Sequence, residues 1–168
     1  MAIEFDITLS AKDLYRFHMY QVYTGSNGWF SILCAVVAVV MTIVTYGRVE
    51  PTYTLLYAAF GIAFLLYLPV TLYVRSKKNL ENSKDLSKPL HYLISEEGIT
   101  VSRKKESAKL SWAQIYKMVA TKNNVLIYSN RNGAYVIPKA QLGEHYQPLA
   151  ELAATKLPKN RLKMKGIT

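Results

Sequence analysis

Polar and apolar side chains alternate strictly at the start of the chain. Ile3, Phe5, Ile7 and Leu9 fall on one face, and Glu4, Asp6, Thr8 and Ser10 on the other. That period of two predicts a half-buried strand over Ala2–Leu9. Ser10-Ala11-Lys12-Asp13 then sets a hydroxyl three residues before an acid, the pattern of a helix-capping box. The helix it opens is rich in aromatics (Tyr15, Phe17, Tyr20, Tyr23), fit to lie at a membrane interface or to pack on a folded domain, and Gly25-Ser26-Asn27-Gly28 breaks it. The pattern changes abruptly after that. Trp29–Tyr46 and Tyr53–Val74 are runs of 18 and 22 residues without one charged side chain. At helical rise they would reach roughly 27 Å and 33 Å, enough to cross a hydrocarbon core of about 30 Å. Soluble core helices keep a polar stripe that these runs lack.

The two runs are joined by only Gly47-Arg48-Val49-Glu50-Pro51-Thr52, so they must be antiparallel. A cleaved signal sequence fits the first run poorly, because a patterned segment and not a short basic one precedes it. Lys and Arg choose the side. Arg48 alone sits in the loop, whereas Arg75, Lys77, Lys78, Lys84 and Lys88 follow the second run and Lys12 and Arg16 precede the first. The expected location is the cell membrane, multi-pass, with N- and C-termini cytoplasmic. Trp29, Tyr46, Tyr53 and Tyr73 stand at the four ends of the runs, where amphipathic rings favour the headgroup layer. Pro69 removes a donor from the second run and is expected to kink it. Ala59-Phe60-Gly61-Ile62-Ala63 offers small residues for close helix contact, either within the hairpin or across a homodimer.

After the runs, short apolar segments alternate with turn signals. Leu90–Ser95, Ile99–Arg103, Ala108–Trp112, Ile115–Thr121, Val125–Ser129 and Ala134–Pro138 read as strands of an antiparallel meander. Asn132-Gly133 is expected to form a tight hairpin turn with positive φ at both residues. A closing helix over Gly143–Leu157 stops at Pro158. The first strand cannot stand alone and needs this sheet as its partner. The fold class is therefore membrane α+β: a two-helix transmembrane hairpin plus a cytoplasmic seven-stranded β-barrel with a C-terminal helix. The expected divisions are 1–28 (strand and interfacial helix), 29–74 (hairpin, 29–46 and 53–74), 75–89 (basic juxtamembrane linker), 90–157 (domain) and 158–168 (basic tail).

Charge and composition narrow the function. The net charge is +10, and all of the excess lies past the hairpin, where residues 75–168 hold 18 Lys and Arg against seven Asp and Glu. The anionic inner leaflet of the bilayer is a natural counterpart. Arg75, Lys77, Lys78, Arg103, Lys104 and Lys105 are the candidate anionic-lipid contacts, and Lys156, Lys159, Arg161, Lys163 and Lys165 form a further basic cluster in the tail. No recognition helix accompanies them, so nucleic acid is not an expected partner. The runs contain no ionisable residue, unlike transport pathways. His18, His91 and His145 fall on different predicted elements, Cys34 is the single cysteine, and no metalloprotease, nucleophile-elbow or phosphate-loop motif occurs. Trp112 is read as a core residue. No catalytic residue, metal or cofactor is expected.

Several segments resemble the YcxB-like family. They are Tyr92-Leu93-Ile94-Ser95-Glu96-Glu97-Gly98-Ile99, Leu110-Ser111-Trp112 with Ile115-Tyr116-Lys117, and Tyr135-Val136-Ile137-Pro138-Lys139 with Leu142. The resemblance implies a membrane protein whose C-terminal region is similar to bacterial pleckstrin-homology-like domains. It implies no biochemical activity. The expected function is a non-catalytic, membrane-associated interaction or regulatory module with a protein partner in the membrane. Its alternatives are an immunity-type protein against a secreted peptide toxin and an accessory subunit of a transporter.

Overall fold

The computed structural model describes residues 2–82, 88–103, 106–131 and 133–164. Ile3, Phe5 and Ile7 are buried and Glu4 and Asp6 exposed, so β1 (Ile3–Ile7) forms where alternation predicts it. It pairs antiparallel with β2 (Leu90–Ile94), Ile7 opposite Leu90 and Ile3 opposite Ile94. The strand before the hairpin and the strand after it are thus neighbours in one sheet. β3 (Gly98–Arg103) and β4 (Glu106–Ser111) extend that sheet in the order β1-β2-β3-β4. The second sheet holds β5 (Lys117–Ala120), β6 (Asn124–Tyr128) and β7 (Ala134–Pro138), with the two-residue β8 (Leu162–Lys163) parallel to β5, in the order β7-β6-β5-β8. β6 is buried along its whole length and forms the centre of the core.

Among the described residues, eight strands in two open sheets replace the expected seven-stranded barrel. After β4 the chain enters a single 3-10 turn, Trp112–Gln114, capped reciprocally by Ser111 and Gln114. This turn carries the backbone from one sheet to the other, and β4 and β5 make no ladder. Trp112 belongs to the turn and not to a strand. It is buried, and its indole Nε1 donates to the Ser95 carbonyl at 2.9 Å. The Asn130–Gly133 turn also departs from expectation. Gly133 is outside the left-handed region, its N–H donates to Asn130 Oδ1 at 2.6 Å, and five residues separate the paired Tyr128 and Ala134. Asn132 lies outside the described residues. The closing helix expected over Gly143–Leu157 starts as a 3-10 turn at Gly143–His145 and continues as α5 (Tyr146–Lys156). A further short helix, α4 (Lys139–Leu142), precedes it, and the three earlier helices take the lower numbers. α4 packs against both β1 and β7.

The chain forms two compact units: the described residues of 1–14 with those of 80–168, and residues 15–79. In the first, the Ser10–Asp13 capping box is made, with Asp13 N–H donating to Ser10 Oγ and Ser10 N–H to Asp13 Oδ2, both at 3.2 Å. The helix it starts, α1 (Ala11–Thr24), runs on into the second unit. There α2 (Ser26–Thr45) and α3 (Pro51–Asn82) are each long and apolar enough to cross a membrane. Gly28 lies in the first turn of α2, where a Cβ would sit 2.6 Å from the Val22 carbonyl oxygen, so only glycine allows this approach. The expected linker is helical as far as Asn82. Nothing between Arg75 and Asn82 breaks a helix, so α3 continues past the apolar run, and Pro69 sits inside it.

Candidate functional site

Sheet edges are where this domain can meet something else. An edge strand presents unpaired backbone groups unless they are covered. The end of β1 is covered: Thr8 N–H donates to Gln141 Oε1 and Gln141 Nε2 donates to the Thr8 carbonyl, both at 2.8 Å, so one amide side chain stands in for a neighbouring strand. β4 is not covered. Glu106, Ser107, Ala108 and Lys109 are all exposed, and no described strand lies beyond them. Lys109 is held by Glu97 across the hairpin at 2.7 Å.

Behind β4 the two sheets leave a cleft of about 280 Å³. It is lined by Leu90 of β2, Val101 and Arg103 of β3, Glu106, Ser107 and Ala108 of β4, and Tyr135 of β7. Register explains the set. Tyr92, Val101 and Ala108 are directly opposite one another across three strands and share the inward face, and Arg103 faces Glu106 one step on. Over β1 and β2 this face is filled: Phe5 stacks on Tyr92 at 5.5 Å, and His145 stacks on Phe5 at 5.9 Å. Over β4 it is open. Two buried donors on the neighbouring strands lack an acceptor, Arg103 Nε on β3 and the hydroxyl of Tyr92 on β2, and of the two residues only Arg103 lines the cleft. Burial pushes the Tyr92 hydroxyl well above the ordinary tyrosine range. Nearby Tyr135 adds to the rise, and Arg103 partly offsets it.

The other sequence candidates are dispersed. Arg75, Lys77 and Lys78 are exposed near the end of α3. Arg103 is half-buried in the cleft, on the other compact unit. Lys84, Lys104, Lys105 and Lys165 lie outside the described residues. The histidines do not converge. His91 meets two carboxylates instead, with Nδ1 2.7 Å from Asp6 Oδ1 and Nε2 2.8 Å from Glu4 Oε1. Those acids take opposite ring nitrogens and so do not converge on one ion, and no group of three metal-binding side chains occurs among the described residues. Alternation placed Glu4 and Asp6 on one face, but the register that delivers His91 between them is a long-range property. In the hairpin, Gly61 packs on Ala38 and Val39, while Ala59 and Ala63 are exposed.

Residues 94–153 match the family model described as YcxB-like protein. The chain is similar to the "Uncharacterized protein YcxB" of Bacillus subtilis (strain 168), with 25% identity over 140 residues covering 78% of this chain and 75% of that one. No solved structure matches it. The matched segment runs from the end of β2 into α5, so it contains the 3-10 crossover and most of the cleft. The matched segment and the similarity along most of its length both support the resemblance of this chain to the YcxB-like family.

Proposed function

We propose that this protein is a non-catalytic, multi-pass membrane protein whose two-sheet domain is a docking module at the cytoplasmic face of the cell membrane. The observation that carries the reading is the surface of α2 and α3. Phe30, Ile43 and Leu55 are 68%, 69% and 71% exposed, in a unit whose helices bury little except their mutual seam. Such a contiguous apolar surface is unsustainable in water and natural in lipid. Ser31 Oγ spends its hydrogen bond on the Phe64 carbonyl of the opposite helix at 3.2 Å, as hydroxyls within a bilayer do. Arg75, Lys77 and Lys78 follow the apolar run directly and suit contact with anionic headgroups. Seven antiparallel strands in two sheets, followed by a helical segment that ends in α5, support kinship with pleckstrin-homology-like domains, and the short parallel β8 is an addition to that plan.

Docking is assigned to β4, whose free edge can accept an extended segment of a membrane partner by strand addition. The test is purification of the full chain from native membranes in mild detergent, with amine cross-linking and mass spectrometry. The expected result is a stoichiometric protein partner cross-linked through Lys109. Recovery of the chain with lipid alone would overturn docking, and release of the chain from membranes by alkaline carbonate would overturn the membrane reading.

A further inference from the structure

We propose that the edge formed by β5 and β8 is a contact surface for anionic lipid headgroups, on which Tyr116, Lys117, Lys159, Arg161 and Lys163 meet the bilayer. The inference rests on the membrane reading above and not on the docking role of β4, since it uses the other sheet.

Along the chain these cations lie in two unrelated places, a strand and the basic tail. The sheet brings them together. Leu162 pairs with Met118 and Lys163 with Val119 in the parallel ladder, and Met118 N–H donates to the Arg161 carbonyl at 2.8 Å. One step back along both strands, Lys117 comes level with Arg161. Alternate residues of a strand share a face, so Lys117, Arg161 and Lys163 fall on the same side of the sheet. Arg161 and Lys163 are exposed, Lys117 is half-buried, and Lys159 is exposed in the turn that leads into β8. Like charges abreast on neighbouring strands repel one another. Lys109 of the first sheet has Glu97 against it at 2.7 Å. Among the described residues, none of Lys117, Lys159, Arg161 and Lys163 forms an ion pair. The cluster therefore opposes the fold, and an outside anion would relieve it.

The aromatic neighbour points to the source of that anion. Tyr116 is 48% exposed, and no other large apolar side chain is exposed among the described residues of the first compact unit. Lys117 Nζ lies 6.0 Å from its ring centre and 4.4 Å from that of Tyr128. An exposed tyrosine among lysines and arginines suits a layer that is apolar beneath and anionic above. The ring enters the headgroup region while the cations meet the phosphates. An acidic protein segment would match the charges equally well. Lipid is favoured because the covalent link to the helical hairpin keeps a bilayer at high effective concentration.

The test is amine labelling of the full chain, read by mass spectrometry, in nanodiscs of phosphatidylcholine alone and with phosphatidylglycerol added. Lys159 and Lys163 should react about fivefold more slowly in the anionic discs, the factor expected for one cation beside an anionic leaflet, while Lys109 keeps its rate. Arg161→Glu and Tyr116→Ser should each return Lys159 and Lys163 toward their neutral-disc rates. Both side chains are exposed, so neither substitution disturbs the core. Raising the salt to about 1 M, where charges are screened beyond about 3 Å, should do the same. Equal rates in the two kinds of disc would overturn the proposal. So would slowing that Lys109 shares, which would reveal only the diffuse potential of the leaflet, or slowing that survives both substitutions. Slowing by added polyglutamate but not by anionic discs would assign the patch to an acidic protein segment instead. A chain that enters neither kind of disc would defeat the membrane reading itself, an outcome seen before any labelling.

Discussion

His91 shows how one side chain can tie together segments 85 residues apart. Both ring nitrogens face carboxylates, at 2.7 Å and 2.8 Å, and a neutral imidazole has only one N–H to donate. The full arrangement exists only as imidazolium between Asp6 and Glu4. The hydrogen bond to Asp6, then that to Glu4, raise its pKa above the ordinary 6.5. Since the folded state holds this proton more tightly than the unfolded chain does, the contribution is complete below pH 6.5 and fades as pH climbs through the raised value. His18 runs the other way: burial, then Arg75, depress its pKa, so its contribution is whole at neutral pH and declines as pH falls below 6.5. Imidazole NMR of the full chain should give His91 an apparent pKa above 6.5, brought down by Asp6→Asn more than by Glu4→Gln. An unshifted His91 would show that the β1–β2 bridge does not persist in solution.

At the scale of elements, the hairpin joining β2 and β3 turns on one atom's room. A Cβ at Gly98 would overlap the Leu110 carbonyl oxygen and come within 2.9 Å of Ser111 Cα, both backbone of β4. Although β4 is an edge strand, its backbone there is paired to β3, Ser111 opposite Gly98 and Leu110 opposite Ile99, and cannot step aside without breaking that ladder. Gly98→Ala should therefore cost about 1–3 kcal/mol in thermal unfolding of the domain. Gly47→Ala is the control, since that residue has φ of +71° but nothing within 4 Å, and only the left-handed preference of about 1 kcal/mol is at stake. Equal losses at both sites would refute the steric account. Elements that depend on local pattern were legible in the sequence: β1 from its alternation, the Ser10–Asp13 cap from its spacing, α2 and α3 from their uncharged runs. Those that depend on distant partners were not. Leu162-Lys163 is two residues in a basic stretch and becomes a strand only because β5 offers a parallel edge. The barrel failed to close because a three-residue 3-10 turn intervened between segments that each read as strand. The cleft is the consequence of that failure, so the pattern that revealed its walls could not reveal the space between them. Arg103 is singled out in the sequence for its charge, and only the long-range register sets it half-buried opposite Glu106.

For the molecule as a whole, the decisive fact is that β1 precedes the apolar helices and pairs with a strand that follows them. The excursion from Ile7 to Leu90 closes on a single cross-strand pair. The first sheet consequently cannot be finished until both helices have been made, and its closure carries the entropic cost of a long loop. A chain beginning at β2 would expose Leu90, Tyr92 and Ile94, the inward face that Phe5 and its neighbours cover, along with the edge β1 protects. Asn124 reinforces the dependence: it is buried, and its Nδ2 donates to the Asp13 carbonyl at 3.3 Å, so the first turn of α1 belongs to the same folded unit. A fragment of residues 80–168 alone is expected to aggregate. Joining residues 1–14 to it through a flexible glycine-serine linker of about 15 residues should restore a monodisperse domain with dispersed amide NMR signals, since nothing in its sheets is drawn from the helical hairpin. If the fragment without β1 folds as well as the joined chain, then β1 is an accessory and not the strand that completes the domain. If the joined chain also aggregates, the domain requires the helices themselves.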